Sequence, residues 1–164
     1  KPGWVDGTNQ FCDLLGRYAE GKSVLEVGPG VTGNKTTRYL EQISRNLVGL
    51  DIDPKVLKNQ FIKDAYFYDG TTFPFSDQSF DVVVSDYVNE HITNPYDHHR
   101  EIFRVLRNGG YYLYRTPNKF HYVSIVGSIT PHWLHRIVSR WLRRLPEEID
   151  GPYPTRYLFN SKKT

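Results

Sequence analysis

Five short apolar runs alternate with amphipathic stretches between residues 22 and 116, and this alternation constrains the fold of the 164-residue chain more than any other feature. Val24-Leu25-Glu26-Val27 is the first run. It passes directly into Gly28-Pro29-Gly30-Val31-Thr32-Gly33, after which Lys35 to Ile43 regains helical character. Leu47-Val48-Gly49-Leu50 ends at Asp51, and Pro54, a good first helical residue after Asp53, opens a short helix. Ala65 to Tyr68 is a weaker third strand ending at Asp69-Gly70. Asp81-Val82-Val83-Val84-Ser85 is the clearest, because a continuous β-branched run suits a strand buried on both faces of a parallel sheet. His99, Ile102, Phe103 and Leu106 predict one helical face, Asn108-Gly109-Gly110 a helix end, and Tyr111 to Arg115 a fifth strand. Ahead of the first strand, Phe11, Leu14, Leu15 and Tyr18 predict a helix over Thr8 to Glu20, closed by Gly21. The pattern argues for an open, doubly wound, mostly parallel α/β sheet.

Length and composition exclude several alternatives. The chain fits one domain of ~100–200 residues, and no apolar run approaches the ~18–20 residues of a membrane span. No basic–apolar–small-residue pattern opens the given sequence, so a secretory protein is not expected. Cys12 cannot form an internal disulfide and lies beside Phe11 on an apolar stripe, so it reads as a small buried hydrophobe in a reducing, cytoplasmic setting. The first residue is Lys1 and methionine is absent, so the sequence is expected to be a piece of a longer chain. The formal charge of +3 averages two halves: residues 1–110 carry 12 basic against 15 acidic side chains, residues 111–164 carry 9 against 3.

The Gly28–Gly33 segment places glycines where a strand hands over to a helix, so that backbone can approach a ligand closely. Asp51 ends the next strand 21 residues after Gly30, where a carboxylate can accept both hydroxyls of a ribose. The combination predicts a nucleoside ligand. NAD and S-adenosylmethionine sites share it.

The wider sequence separates the two. Val24 to Gly33 resembles the first motif of class I S-adenosylmethionine-dependent methyltransferases, which carries an acidic residue two before the first glycine. Val48-Gly49-Leu50-Asp51-Ile52-Asp53-Pro54 is similar to their second motif. Asp69-Gly70, Phe73 to Asp81, and Val82 to His91 resemble the third-strand, pre-fourth-strand and fourth-strand signatures of the type 11 small-molecule branch, and Gly109-Gly110 completes the series. The resemblance implies a Rossmann-like methyltransferase fold, S-adenosylmethionine as cofactor, and methyl transfer to a small-molecule, lipid or sugar acceptor.

By the same resemblance, Glu26 holds the glycine loop or meets the cofactor ammonium, while Gly28 and Gly30 let the methionine portion lie against the backbone. Asp51 takes the ribose and Ile52 packs on the adenine. Asp69 accepts from the adenine amino group, with Gly70 beside the ring; Asp64 competes for that place, but Asp69 lies five residues before Pro74, the commoner spacing. Ser85, Asp86 and Tyr87 follow the fourth strand on the side that faces the methyl group. Asn94-Pro95-Tyr96 reads as a turn into a helix, because a base-methyltransferase motif would end the fourth strand directly.

Methyl transfer needs no nucleophilic side chain, although a hydroxyl acceptor needs a base. Asp86, His91 and His121 are the candidates. No metal site is expected, since His98-His99 and His132/His135 lack nearby Cys or a carboxylate set.

Residues 1–120 thus read as the cofactor-binding core and 121–164 as a basic extension of the same domain. There, Trp133, Leu134, Ile137, Val138, Trp141, Leu142 and Leu145 form one apolar stripe between Pro131 and Pro146, with arginines off it. Three readings stand: a helix packed on the sheet, a lid favouring anionic or lipid-linked acceptors, or a peripheral membrane anchor through 131–145. Nucleic acid is not an expected partner, because the clustered arginines, Arg136, Arg140, Arg143 and Arg144, sit on one helix and do not spread into a basic face. A complete family member continues into an antiparallel strand pair after a Gly-Phe turn; no such turn precedes Tyr157-Leu158-Phe159, so the last two strands are expected to be missing. The rivals are an NAD-dependent oxidoreductase, which leaves Ser79-Phe80-Asp81 and Glu90-His91 unexplained, and a non-catalytic membrane-associated binding module.

Overall fold

In the computed structural model, which describes residues 6–117, five parallel strands form one sheet in the order β3-β2-β1-β4-β5. The strands are β1 (Ser23–Val27), β2 (Asn46–Asp51), β3 (Asp64–Phe67), β4 (Phe80–Asp86) and β5 (Leu106–Arg115). The helices are α1 (Gly7–Ala19), α2 (Lys35–Ile43) and α3 (Pro95–Val105), with short 3-10 turns at Pro54–Lys58 and Asn89–His91. The strand order reverses between β1 and β4, which creates a crevice at their carboxyl ends.

Strand parity explains the double winding, because successive side chains point to opposite faces of a sheet. Val24, Val82 and Val84 pack with Phe11, Leu15 and Ala19 of α1 and Leu40 of α2. Leu25, Val27 and Val83 pack on the other face with Ile102 and Val105 of α3, together with Leu50, Phe73 and Phe80. All five residues of β1 are buried, as a central strand covered on both faces requires. Each fully buried Leu or Val stabilises the fold by roughly 1.5–3 kcal/mol. The same parity puts Glu26 and Asp86 on the α2 face and Ser85 on the opposite one.

Local signals set the helix ends. Asp6 caps α1 by accepting from the Thr8 N–H at 2.9 Å, and Asn34 caps α2 in a reciprocal box with Thr37. Asn94 caps α3 with Pro95 in its first turn, so the Asn94-Pro95-Tyr96 triplet is a helix start, as expected. Cys12 is buried on α1.

Two expectations are corrected. The strand expected at Tyr111 begins at Leu106, and Asn108-Gly109-Gly110 lies within β5 instead of ending a helix. Pairing jumps from Phe80↔Leu106 to Val82↔Tyr111, so the glycines accommodate the register shift. A Cβ on Gly110 would lie 2.8 Å from the Asp81 carbonyl oxygen. On α3, Phe103 is 68% exposed, whereas His98, Glu101, Ile102 and Val105 form the buried side. Glu101 tolerates this position because its carboxylate accepts from the Phe73 N–H at 2.8 Å and from Arg104 at 2.7 Å. Residues His121 and 131–145 lie outside the described residues.

Candidate functional site

The carboxyl edge of the sheet gathers most of the singled-out residues around the crevice beside β1. Gly28 follows β1 with φ +77°, and its N–H donates to the Leu50 carbonyl at 2.8 Å. A Cβ there would sit 2.3 Å from Val88 Cγ2, so the turn admits only glycine without displacing the segment after β4. Gly30, at φ +65°, has open space where a Cβ would lie, which leaves its backbone approachable by a ligand. Its N–H donates to Asp51 Oδ2 at 2.9 Å, and its carbonyl accepts from Asn59 Nδ2 at 2.8 Å. Asp51 Oδ1 accepts from the Asp53 N–H at 3.0 Å. One carboxylate therefore fixes the glycine loop to the end of β2, and each of its oxygens keeps a further lone pair for a hydroxyl.

Beside this loop, Ile52, Asp69, Gly70, His91 and His98 line a cleft of about 570 Å³, within the usual size of a small-molecule site. Ile52 is 55% exposed, an uncovered apolar surface suited to a planar ring. Gly70, with φ +87°, puts its backbone next to Ile52, a Cβ position 3.8 Å from Ile52 Cγ2. Asp69 Oδ1 accepts from Thr71 N–H at 2.9 Å and Thr71 Oγ1 at 2.6 Å, and these bonds lower its pKa. Asp64 opens β3 at the far, amino end and does not line this cleft. His98 is held neutral by burial, and next by neighbouring His99, with a pKa near 4.

Two carboxylates flank the amino end of α2 on its face of the sheet. Asp86 accepts from Arg115 Nε and Nη2, both at 2.7 Å, and from Thr36 Oγ1 at 2.6 Å. Arg115 also donates to Thr8 Oγ1 at 2.9 Å and sits 5.2 and 4.6 Å from the rings of Phe11 and Tyr87. A carboxylate engaged in this way is poorly placed to take a proton from an acceptor, which turns Asp86 from a candidate base into an anchor for the chain after β4. Tyr87, the next residue, is held at φ +59° with its N–H donating to the Arg115 carbonyl at 2.8 Å. Glu26 is buried with its Oε1 accepting from Thr37 Oγ1 at 2.9 Å and its Oε2 without a partner among the described residues. Burial pushes its pKa up to about 8 against the opposing Thr37 bond, and the charges of Asp86 and Asp51 add to the rise.

Ser85 is fully buried and faces the β4–β5 seam, where Tyr112 Oη approaches its Oγ at 3.3 Å and donates to Asn89 Oδ1 at 2.8 Å. It therefore presents no surface to the crevice. Residues missed in the sequence are the tertiary partners: Thr36, Thr37, Asn59, Val88 and Arg115. Of these only Thr37 carried a local sign, as the third helical residue after the Asn34 cap. Among the described residues no group of three His, Cys, Asp or Glu side chains is placed to hold a metal. No described helix is long and apolar enough to cross a membrane.

The orphaned Glu26 oxygen, the open Gly30 backbone, the Asp51 carboxylate and uncovered Ile52 fit, respectively, the ammonium, chain, ribose and adenine of S-adenosylmethionine. Comparison with known proteins identifies the family. The methyltransferase domain family matches residues 25–114. A probable S-adenosylmethionine-dependent methyltransferase of Mycolicibacterium smegmatis is 31% identical over 120 residues, covering 71% of this chain and 46% of that protein. A demethylmenaquinone methyltransferase of Tropheryma whipplei is 30% identical over 105 residues, covering 60% of this chain and 43% of that protein. The chain thus spans less than half the length of these relatives. A solved S-adenosylmethionine-dependent methyltransferase from Aquifex aeolicus shares the fold, with a TM-score of 0.60 at 15% identity over 82% of this chain and 81% of that one. The chain belongs to the methyltransferase domain family, among the class I S-adenosylmethionine-dependent methyltransferases.

Proposed function

We propose that this chain takes part in methyl transfer from S-adenosylmethionine to a small-molecule acceptor. The observation that carries the reading is the convergence, at the β1/β4 crevice, of the open glycine loop, the Asp51 carboxylate and the uncovered Ile52. Asp51 binds the ribose hydroxyls while it holds Gly30 in place. Ile52 and the Gly70 backbone cover the adenine, with Asp69 accepting from its amino group. Glu26 receives the ammonium. Bound S-adenosylmethionine supplies a methyl already activated by its sulfonium, so the protein's task is to align acceptor and methyl and to exclude water.

The acceptor side is assigned to the ends of β4 and β5, around Tyr87 and Arg115. His91 shares the cleft with Ile52 and Asp69, a place for packing on the cofactor more than for removing an acceptor proton. His121, outside the described residues, stays a candidate base. A small-molecule acceptor is supported by the relative named for demethylmenaquinone. The basic residues of 131–145 favour an anionic or lipid-linked one. The oxidoreductase alternative is disfavoured by position: Tyr18 and Lys22, spaced as in a dehydrogenase pair, lie beside Asp81 and Gly110 at the amino edge, away from the crevice.

The test is incubation of the intact protein with S-adenosylmethionine carrying a labelled methyl and with separate aqueous and lipid metabolite extracts. Label should appear by mass spectrometry in a small molecule of one fraction and be absent with Asp51→Ala. Label found only in protein or nucleic acid would sink the acceptor class.

A further inference from the structure

Resting on the methyltransferase reading, we infer that the ammonium group of the bound donor displaces one proton from Glu26, so that loading the site releases a proton to solvent. Two buried carboxylates stand on the same face of the sheet, and only one is matched by a cation. Asp86 has the Arg115 guanidinium on both oxygens. Among the described residues, Glu26 has a neutral hydroxyl, Thr37 Oγ1, on one oxygen and no partner on the other. Among the described residues the charges that act on it are both negative, Asp86 on β4 and Asp51 on β2, and its bond from α2 comes from the uncharged Thr37. Cys12 on α1 and Arg115 on β5 gather around Asp86 instead. An isolated carboxylate at 1% exposure is far costlier than a carboxylic acid, so the free protein holds Glu26 as the acid.

A cation delivered to Oε2 reverses that balance. The Glu26 O–H bond breaks, its proton leaves to solvent, and the carboxylate left behind pairs with the ammonium, which keeps all its protons. Charge balances as a neutral acid and a cation become an ion pair plus one released proton. The raised pKa of Glu26, about 8, agrees with this geometry. Because the free site is protonated below that value, donor affinity should rise with pH through the neutral range. The site would also discriminate against nucleosides lacking the amino acid portion, which leave Glu26 protonated.

The experiment is calorimetric titration of the full-length protein with S-adenosylhomocysteine at pH 6.5, in two buffers of different ionisation enthalpy. About one proton should be released per ligand bound, and affinity should rise about tenfold from pH 6 to pH 7. Glu26→Gln should release none and bind with a flat pH profile. On the unaltered protein, 5′-methylthioadenosine, which lacks the ammonium, should also release none, a comparison that holds even if the variant does not fold. Equal release by the variant, or release with methylthioadenosine, overturns the inference. Tight binding without proton release overturns it while leaving the methyltransferase reading in place; no binding of S-adenosylhomocysteine at any pH overturns both.

Discussion

The two ends of the sheet are built on opposite terms. At the amino edge Asp81 accepts from the Ser23 N–H at 2.9 Å, from Arg107 at 2.6 Å and from Arg45 at 3.3 Å, so its charge is matched and the strands are clasped. At the carboxyl edge Glu26 Oε2 and Asn89 Nδ2 have no partner among the described residues, Gly28 and Gly30 adopt left-handed conformations, and so does Tyr87. A tight-packed protein normally satisfies buried polar atoms. The amino edge has its own exceptions, Ser44 Oγ without a partner and left-handed Gly21, Gln78 and Gly109, but among the described residues the larger share, with Gly33, Gly70 and His98 Nε2 added, falls at the carboxyl edge, and this bias marks the edge that meets a ligand. Asp86 is the instructive intermediate: it lies at the carboxyl edge but is satisfied like an amino-edge residue, and it ties β4 to β5 and α2 directly and to α1 through Arg115.

The largest effect on this contrast should come from Arg115→Leu, which leaves Asp86 buried without its cation. A loss of about 3–5 kcal/mol is expected in urea unfolding. Adding Asp86→Leu should recover much of it; a single variant as stable as wild type would remove Asp86 from the role of anchor. Gly28→Ala comes next, at roughly 3 kcal/mol, because its Cβ meets Val88 as well as an unfavourable φ. Gly30→Ala carries the φ penalty alone and should cost about 1 kcal/mol while weakening cofactor binding, since its methyl would fill the open approach. Equal stabilities for the two glycine variants would show that Val88 does not wedge the turn.

Asp81→Asn should be the mildest, about 1 kcal/mol at pH 7, with cofactor affinity unchanged. The Ser23 N–H, and then the Arg107 bond, hold the Asp81 pKa below its usual 3.8. A depressed folded value means that the stabilisation is present above the unfolded pKa and is lost as pH falls through the folded one. The stability gap between wild type and Asp81→Asn should therefore close below about pH 4, as read from urea midpoints at pH 7 and pH 3. A gap that persists in acid would assign the clasp to packing instead of charge.

How far the sequence could carry these conclusions differs between backbone and side-chain partners. β1, β2 and β4 were legible because apolar β-branched runs flanked by Gly and Asp have few other solutions, and α2 matched its expected span, Lys35 to Ile43. The start of β5 was not, because Asn108-Gly109-Gly110 carries the local signature of a helix end. Only its pairing with Asp81 and Phe80 makes it a bulge. The buried side of α3 was misjudged for a related reason. Apolar periodicity favours Phe103, whereas Arg104, bonded to Glu101 and to the Phe73 and Phe75 carbonyls, makes a charged residue acceptable inside. At the site, Asp51, Ile52, Asp69 and the glycines stand in sequence motifs. Arg115, Asn59 and Thr36 act through contacts 29, 29 and 50 residues away, which no local pattern encodes.

The central claim, that the unsatisfied carboxyl edge is a nucleoside amino acid site, is tested most directly by titrating the intact protein with S-adenosylhomocysteine and comparing Asp51→Ala. Saturable binding is expected, weakened about 100-fold, or roughly 2.7 kcal/mol, in a variant that keeps its circular dichroism and cooperative unfolding. A folded wild-type protein that gives no binding signal, or an Asp51→Ala variant that binds as tightly as wild type, would contradict the account.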